Sequence, residues 1–301
     1  MARLFHRNSG LTAAELISSV QRRLSRAQVF FGHGTDNARD EAASLVYHVL
    51  ELPHDAPPRA LRRRSSAAEH ARLEALLKRR IDERIPLPYL IHEAWFAGMR
   101  FYIDERVLIP RSPFAELIGD RFAPWIDPRR VMRALDLGTG SGCIALAMAK
   151  AFPRAHVDGS DIDRAALAVA EINRRRLRLT RRVRLIESDH FAALSGESYD
   201  IIASNPPYVG RREMRGLPGE YRHEPRHALE SGPRGLDSVE VILREAAPHL
   251  RPRGLLVVEV GNTERALMRA YPRLPFTWLD FERGGGGVFL LTREQLVATL
   301  R

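Results

Sequence analysis

The sequence predicts an α/β protein: a doubly wound, mainly parallel sheet, preceded by a small helical domain and a β-hairpin linker. Three observations carry this. Beyond Arg130, short apolar runs alternate with amphipathic helical stretches, the pattern of parallel strands joined by crossover helices. The last two strand-like runs are joined only by Gly284-Gly285-Gly286-Gly287. That connection is too short for a crossover, so the pair must be antiparallel. Before Pro86 the apolar periodicity is helical throughout.

The N-terminal domain is expected over residues 1–85. Thr12 stands three residues before Glu15, a capping-box spacing, and Leu16, Val20 and Leu24 follow at four-residue intervals. A second helix over Glu41–Leu50 places Ala42, Leu45, Val46 and Val49 on one face. A third over Ala67–Ile81 does so with Ala71, Leu73, Leu76, Leu77 and Ile81. Segments rich in Gly, Asn, Asp and Pro separate them, Gly32–Asn37 and Leu52–Pro58. Pro86 and Pro88 are read as ending the domain. The linker, residues 86–113, is aromatic-rich from Tyr89 to Pro110, with a turn at Gly98, and closes on an extended piece, Val107–Pro113.

The larger domain is expected over 114–301. It opens with a helix, Phe114–Phe122. Strands follow at Val131–Leu137, Ala155–Ser160, Val183–Ile186, Tyr199–Ser204 and Leu255–Val260. Helices are expected at Ile144–Ala151, Arg164–Leu177, Val239–Leu250 and Thr263–Ala270. Phe276–Glu282 and Val288–Thr292 form the closing hairpin. Five parallel strands and a terminal hairpin resemble the seven-stranded, Rossmann-like arrangement of the S-adenosylmethionine-dependent methyltransferases.

Composition limits the alternatives. The chain has 301 residues, 45% hydrophobic and 28% charged, enough for two domains with packed cores. It lacks an apolar run of the roughly 18 residues that a membrane span requires. Met1–Arg7 lacks the apolar segment of a secretory signal. These features predict a cytoplasmic protein without a membrane partner. One cysteine, Cys143, excludes an internal disulfide and a multi-cysteine metal site. It is expected to be a small buried residue, not a nucleophile. The histidines show no paired ligand spacing, so no metal is expected. Net charge is +10, and all but Lys78 and Lys150 of the 47 basic residues are arginine. Such a balance favours polyanionic surroundings, although generic surface charge accounts for it as well.

Two turns carry the chemistry. Gly138-Thr139-Gly140-Ser141-Gly142 follows the first strand, where open α/β sheets bind their ligands. Glycines there allow a tight turn and close approach of a cofactor. The spacing is Gly-x-Gly-x-Gly, unlike the dinucleotide fingerprint, and the turn lacks the lysine of a phosphate loop. Asp136, at the strand end, is expected to accept hydrogen bonds from cofactor or backbone. Asp161, at the end of the next strand, suits the two hydroxyls of a ribose. Asp189 is expected to accept from an adenine amino group and the His190 ring to lie beside the purine; a plain surface histidine is the bland alternative. The second turn, Asn205-Pro206-Pro207-Tyr208, follows Tyr199–Ser204. Asn205 provides a side-chain acceptor and Pro206 a carbonyl, while successive prolines bring no N–H donors. Tyr208 is expected to stack on a planar substrate or form the pocket wall. An amide nitrogen is a poor nucleophile, and two acceptors gripping its hydrogens would aim its lone pair at a methyl donor. A rigid loop without chemistry is the alternative for the tetrad alone.

The glycine turn and the Asn-Pro-Pro-Tyr tetrad resemble the HemK-type protein-glutamine methyltransferases. The resemblance covers nearly the whole chain. It implies a helical N-terminal substrate-recognition domain, a hairpin linker and a seven-stranded catalytic domain. It implies S-adenosylmethionine as cofactor, released as S-adenosylhomocysteine, and transfer to a glutamine side-chain amide. By resemblance, Gly138–Gly142, Asp161 and His190 line the cofactor site, where the family often has an aromatic residue in the place of His190. Asn205–Tyr208 hold the glutamine. One branch of the family modifies peptide release factors and usually reads Pro-Arg-Pro-Glu-Thr-Glu after the linker. This chain has Pro110-Arg111-Ser112-Pro113-Phe114-Ala115-Glu116, similar to the PrmB branch, which modifies large-subunit ribosomal protein L-three. Phe31–Asn37, Glu220–Pro225 and Val288–Thr292 are similar to that branch too. Ribosomal protein L-three, free or in a ribosomal precursor, is therefore the expected partner, with rRNA contact through the basic surface. A release factor is the alternative substrate. A nucleic-acid amino methyltransferase would use the same tetrad but normally extracts its base and carries a recognition domain. A non-catalytic assembly factor would not need both turns intact.

Overall fold

The fold is described from a computed structural model for residues 10–282 and 284–299; Met1–Arg7, read above for a targeting signal, lies outside them. The described residues form two compact units, one up to His92 and one from Glu93 onward. The hairpin expected as a separate linker thus belongs to the larger unit.

In the smaller unit, α1 (Ala13–Ala27) starts at Thr12, whose hydroxyl accepts from the Glu15 N–H while the Glu15 carboxylate accepts from the Thr12 N–H. Asn37 caps α2 (Ala38–Val49), and a second capping box, Ser66 with Glu69, starts α3 (Ala67–Asp82). Leu16, Val20, Leu24, Leu45, Val46, Leu73 and Leu77 form the core. The expected apolar face of α3 is only partly buried: Ala71 is exposed and Leu76 half-buried. Arg80 enters the interior instead, donating from Nε to Glu41 Oε1 at 2.7 Å. An interior charge needs such a partner, and periodicity of apolar residues does not register it. The prolines expected to end the domain instead start α4 (Leu87–Ile91), with Pro86 at its N-cap and Pro88 in its first turn, positions where a missing N–H costs nothing. Tyr89, expected in the hairpin, is therefore helical and buried.

In the larger unit, β1 (Ala94–Phe96) and β2 (Met99–Phe101) turn through Ala97 and Gly98, both at positive φ, as a tight hairpin requires. Then come α5 (Phe114–Gly119), β3 (Arg133–Leu137), α6 (Cys143–Ala151), β4 (His156–Asp161), α7 (Arg164–Arg176), β5 (Val183–Glu187) and β6 (Tyr199–Ser204). After β6 stand α8 (Arg211–Met214), α9 (Asp237–Glu245), β7 (Leu250–Glu259), α10 (Glu264–Ala270), β8 (Thr277–Leu279), β9 (Val288–Thr292) and α11 (Arg293–Thr299). Seven strands make one sheet in the order β5-β4-β3-β6-β7-β9-β8. β3 to β7 are parallel, and β9 is inserted antiparallel between β7 and β8. The helix expected to reach Leu250 stops at Glu245, because Pro248 follows and Leu250 pairs with Tyr199 as the first residue of β7. α11, not anticipated, packs Leu296 onto the sheet core.

Successive residues of each strand serve opposite faces. Ala134, Ile201 and Val257 share one core with α5 and α6; Leu135, Ile202 and Leu256 share the other with α9. β4 lies on one side of β3 and β6 on the other, so strand order reverses at β3/β6. A crevice opens there at the carboxyl ends. Leu137 and Ser204 are partners in register, which brings the two chemically marked turns to one rim.

Candidate active site

The first turn is held through its backbone N–H groups by the end of β4. The N–H groups of Gly138 and Thr139 donate to Ser160 O at 2.9 and 2.8 Å, and Gly140 N–H donates to Asp161 Oδ2 at 2.8 Å. Gly138 and Gly140 have φ of 75° and 53°, and a Cβ at either would meet nothing within 4 Å. Both line a cavity of about 440 Å³, so these glycines leave room for a ligand, not for protein. Gly142 differs: its Cβ would stand 3.2 Å from Ala170 Cβ and Leu146 Cδ1, so it serves packing beneath the turn. Thr139 and Ser141 are buried, and the Thr139 hydroxyl donates to Asp136 Oδ2 at 2.6 Å. Ala145 N–H donates to the same oxygen, while Asp136 Oδ1 has no partner among the described residues. Burial pushes the Asp136 carboxyl up to about 7.

Asp161 also lines the cavity. Its Oδ1 accepts from Asp163 N–H at 2.9 Å, so each oxygen already holds one backbone donor. Each retains a lone pair, which leaves capacity for a hydroxyl. Burial raises this carboxyl too. Asp189 and His190 form a further wall. The His190 ring is tied at both nitrogens, Nδ1 to Asp189 Oδ1 at 2.7 Å and Nε2 to Ser238 Oγ at 2.9 Å. It is a fixed wall element, whereas the sequence had left a loose surface histidine as an alternative.

Asn205, Pro206 and Pro207 reach the same cavity. Ser204 Oγ donates to Leu137 O at 2.7 Å and stitches the second turn to the first. Asn205 Oδ1 is buried and has no hydrogen-bond partner among the described residues. A buried acceptor left open costs free energy unless a ligand completes it. Tyr208, expected to stack on a planar substrate or form the pocket wall, is not among the residues lining the cavity. Its hydroxyl donates to Glu259 Oε1 at 3.1 Å, and its ring covers Gly261, where a Cβ would come within 2.6 Å of it.

Several residues of the site escaped sequence reasoning. Glu259, its carboxyl raised by burial, also accepts from Ser112 Oγ at 2.5 Å. Glu224 receives both ends of the Arg111 guanidinium, at 2.6 and 2.8 Å, and the Ile109 N–H at 3.1 Å. The extended segment Val107–Ser112 thereby becomes one side of the cavity. Asn173 on α7 donates to Ser141 O at 2.9 Å and exchanges hydrogen bonds with the Tyr102 backbone, clamping the glycine turn to the end of β2. Partners this far apart in the chain leave no local pattern; the one available sign was a polar residue on the buried face of a helix. Cys143 is buried, with its thiol pushed up to about 12 by burial, and has no thiolate to offer. Among the described residues no cluster of metal-ligating side chains occurs.

The donor set fits S-adenosylmethionine. The open faces of Gly138 and Gly140 leave space for it, and Asp161 and Asp189 would present carboxylate acceptors to ribose hydroxyls and to an amino group. Asn205 and the two prolines face the same space from the neighbouring strand.

A family described as methyltransferase small domain matches residues 122–221. A ribosomal protein uL3 glutamine methyltransferase of Neisseria meningitidis serogroup B is 49% identical over 287 residues, 95% of this chain and 94% of that one. One from Xanthomonas campestris pv. campestris is 48% identical over the same length, with 95% and 93% covered. A solved methyltransferase from Pyrococcus furiosus is 19% identical, with a TM-score of 0.48 over 76% of this chain and 99% of that one. The two turns at one rim, the closing antiparallel strands and near-complete relatives at this identity agree: the chain belongs to the family of the ribosomal protein uL3 glutamine methyltransferases.

Proposed function

We propose that this chain transfers a methyl group from S-adenosylmethionine to the side-chain amide nitrogen of a glutamine in ribosomal protein uL3, in the cytoplasm. The observation that carries this is Asn205 Oδ1, a buried acceptor without a partner among the described residues, in the cavity lined by Gly138 and Gly140. Bound there, S-adenosylmethionine supplies an electrophilic methyl on a sulfonium and departs as S-adenosylhomocysteine. Asn205 Oδ1 and the Pro206 carbonyl each accept one hydrogen of the substrate amide. Pro206 and Pro207 bring no N–H that would compete for its oxygen. Gripped in this way, the nitrogen presents its lone pair instead of rotating freely, an orientation effect worth several kcal/mol, on the order of that in oriented intramolecular reactions. No base is required before transfer, because the methylated nitrogen is cationic and sheds its proton to water. Tyr208 acts through Glu259, holding the tetrad in place. The helical unit serves substrate recognition, and the basic surface meets rRNA around the target.

The test uses labelled S-adenosylmethionine with purified uL3, a release factor or protein-free rRNA. Label is expected in uL3 and absent after Asn205→Ala. Label confined to the release factor would move the substrate to the other branch. Label in RNA that survives protease would overturn protein methylation.

A further inference from the structure

A second cavity, of about 490 Å³, lies beside the first in the larger unit. Arg211, Arg215, Arg222 and Arg226 line it, together with Tyr221 and Glu224. All four arginines are exposed. Arg211 and Arg226 share one carboxylate, Glu230, at 3.1 and 2.6 Å. Arg215 and Arg222 meet no carboxylate among the described residues. Glu224 is already neutralised by Arg111 at 2.6 Å. Four guanidinium groups thus face about one carboxylate's worth of compensation. Like charges sharing one cavity repel one another, and an anion received there relieves that repulsion.

Its place gives the cavity meaning. Arg111 lines the main cavity while its partner Glu224 lines this one, so the ion pair is a shared wall. Val209, directly after the tetrad, bridges to Glu230. A polyanion lying in the arginine cavity would therefore border the mouth of the methyl-transfer site. We propose that this cavity binds the phosphate backbone of single-stranded rRNA flanking the target glutamine. The inference rests on the proposed function and adds where and how the nucleic acid is held. The arginine fork matches phosphate oxygens in pairs. A ribosomal protein in its assembled state lies among such phosphates.

The test is fluorescence anisotropy of a labelled short oligouridylate with the full chain, repeated at several salt concentrations. An oligoglutamate peptide and inorganic phosphate serve as competitors. Each phosphate contact on a single strand contributes about 0.7 to the slope of log K against log salt. Losing two of them in Arg215→Gln/Arg222→Gln should lower the slope by about 1.4, which amounts to roughly 25-fold weaker binding at about 0.1 M salt. Arg215→Lys/Arg222→Lys should restore the salt slope, because charge is retained, but only part of the affinity, because lysine lacks the paired donors of the fork. Methylation of RNA-free uL3 and S-adenosylmethionine affinity should not change in either variant. That separates failure of this inference from failure of the methyltransferase assignment. Unchanged RNA affinity in the glutamine variant would overturn the proposal, as would oligoglutamate competing better than RNA, which would assign the cavity to an acidic peptide. Displacement by inorganic phosphate at low concentration would assign it to the free ion and overturn the RNA reading.

Discussion

Gly140→Ala separates ligand space from structural space. At Gly140 φ is 53°, and the added methyl meets nothing within 4 Å. The free protein should therefore lose only the cost of left-handed backbone, about 1–2 kcal/mol. The methyl would occupy the space where the turn faces the cavity, so S-adenosylmethionine affinity should fall by about tenfold or more, equivalent to about 1.4 kcal/mol. Gly142→Ala is the control. It carries similar backbone strain at φ 80° but also presses on Ala170 and Leu146 at 3.2 Å, adding about 1–3 kcal/mol of overpacking. It should unfold more easily and, while folded, bind the cofactor nearly as before. Urea unfolding without ligand and calorimetric titration with it measure the two quantities. An unchanged dissociation constant in Gly140→Ala, or a larger affinity loss in Gly142→Ala, would refute the assignment of the turn to the cofactor.

Asn205→Ala should lower kcat by at least about a hundredfold, as removal of one oriented polar contact does in other active sites. Its S-adenosylmethionine affinity should stay near that of the parent, and a large loss in titration would make Asn205 a cofactor ligand instead. Asp161→Ala should mainly weaken cofactor binding; equal affinity would remove the ribose role. The buried Asp136 carboxyl, pushed up to about 7 from an ordinary 3.8, makes the native state hold a proton that the unfolded chain has lost. Between those values the native state binds more protons, so this group lowers stability as pH rises from about 4 to about 7. Asp136→Asn should flatten that part of a urea-unfolding profile, and parallel curves for the two proteins would contradict it.

Strands and helices of the larger unit were legible where apolar runs are short and bounded by turn residues. Tyr199–Ser204 matches β6 at both ends. Local signals mislead where they conflict with tertiary pairing. Leu250 continues a helical apolar pattern, yet its hydrogen bonds lie across the sheet. Tyr89 follows prolines that punctuate loops as readily as they open a helix turn. Inside the smaller unit, Arg80 reads as surface charge until Glu41 is found opposite it.

The chain itself determined the alternation of strands and helices, the capped helices, the glycine turn and the donor-poor tetrad, because each is written in residues close together. Only tertiary structure decided which residues share the site. Glu224, Glu259 and Asn173 are drawn in by hydrogen bonds across long sequence separations, and Tyr208 is turned toward Glu259 instead of the cavity. Burial of polar groups is a property of the packed interior, where each must find a partner or wait for a ligand, and no local pattern records which partner that will be.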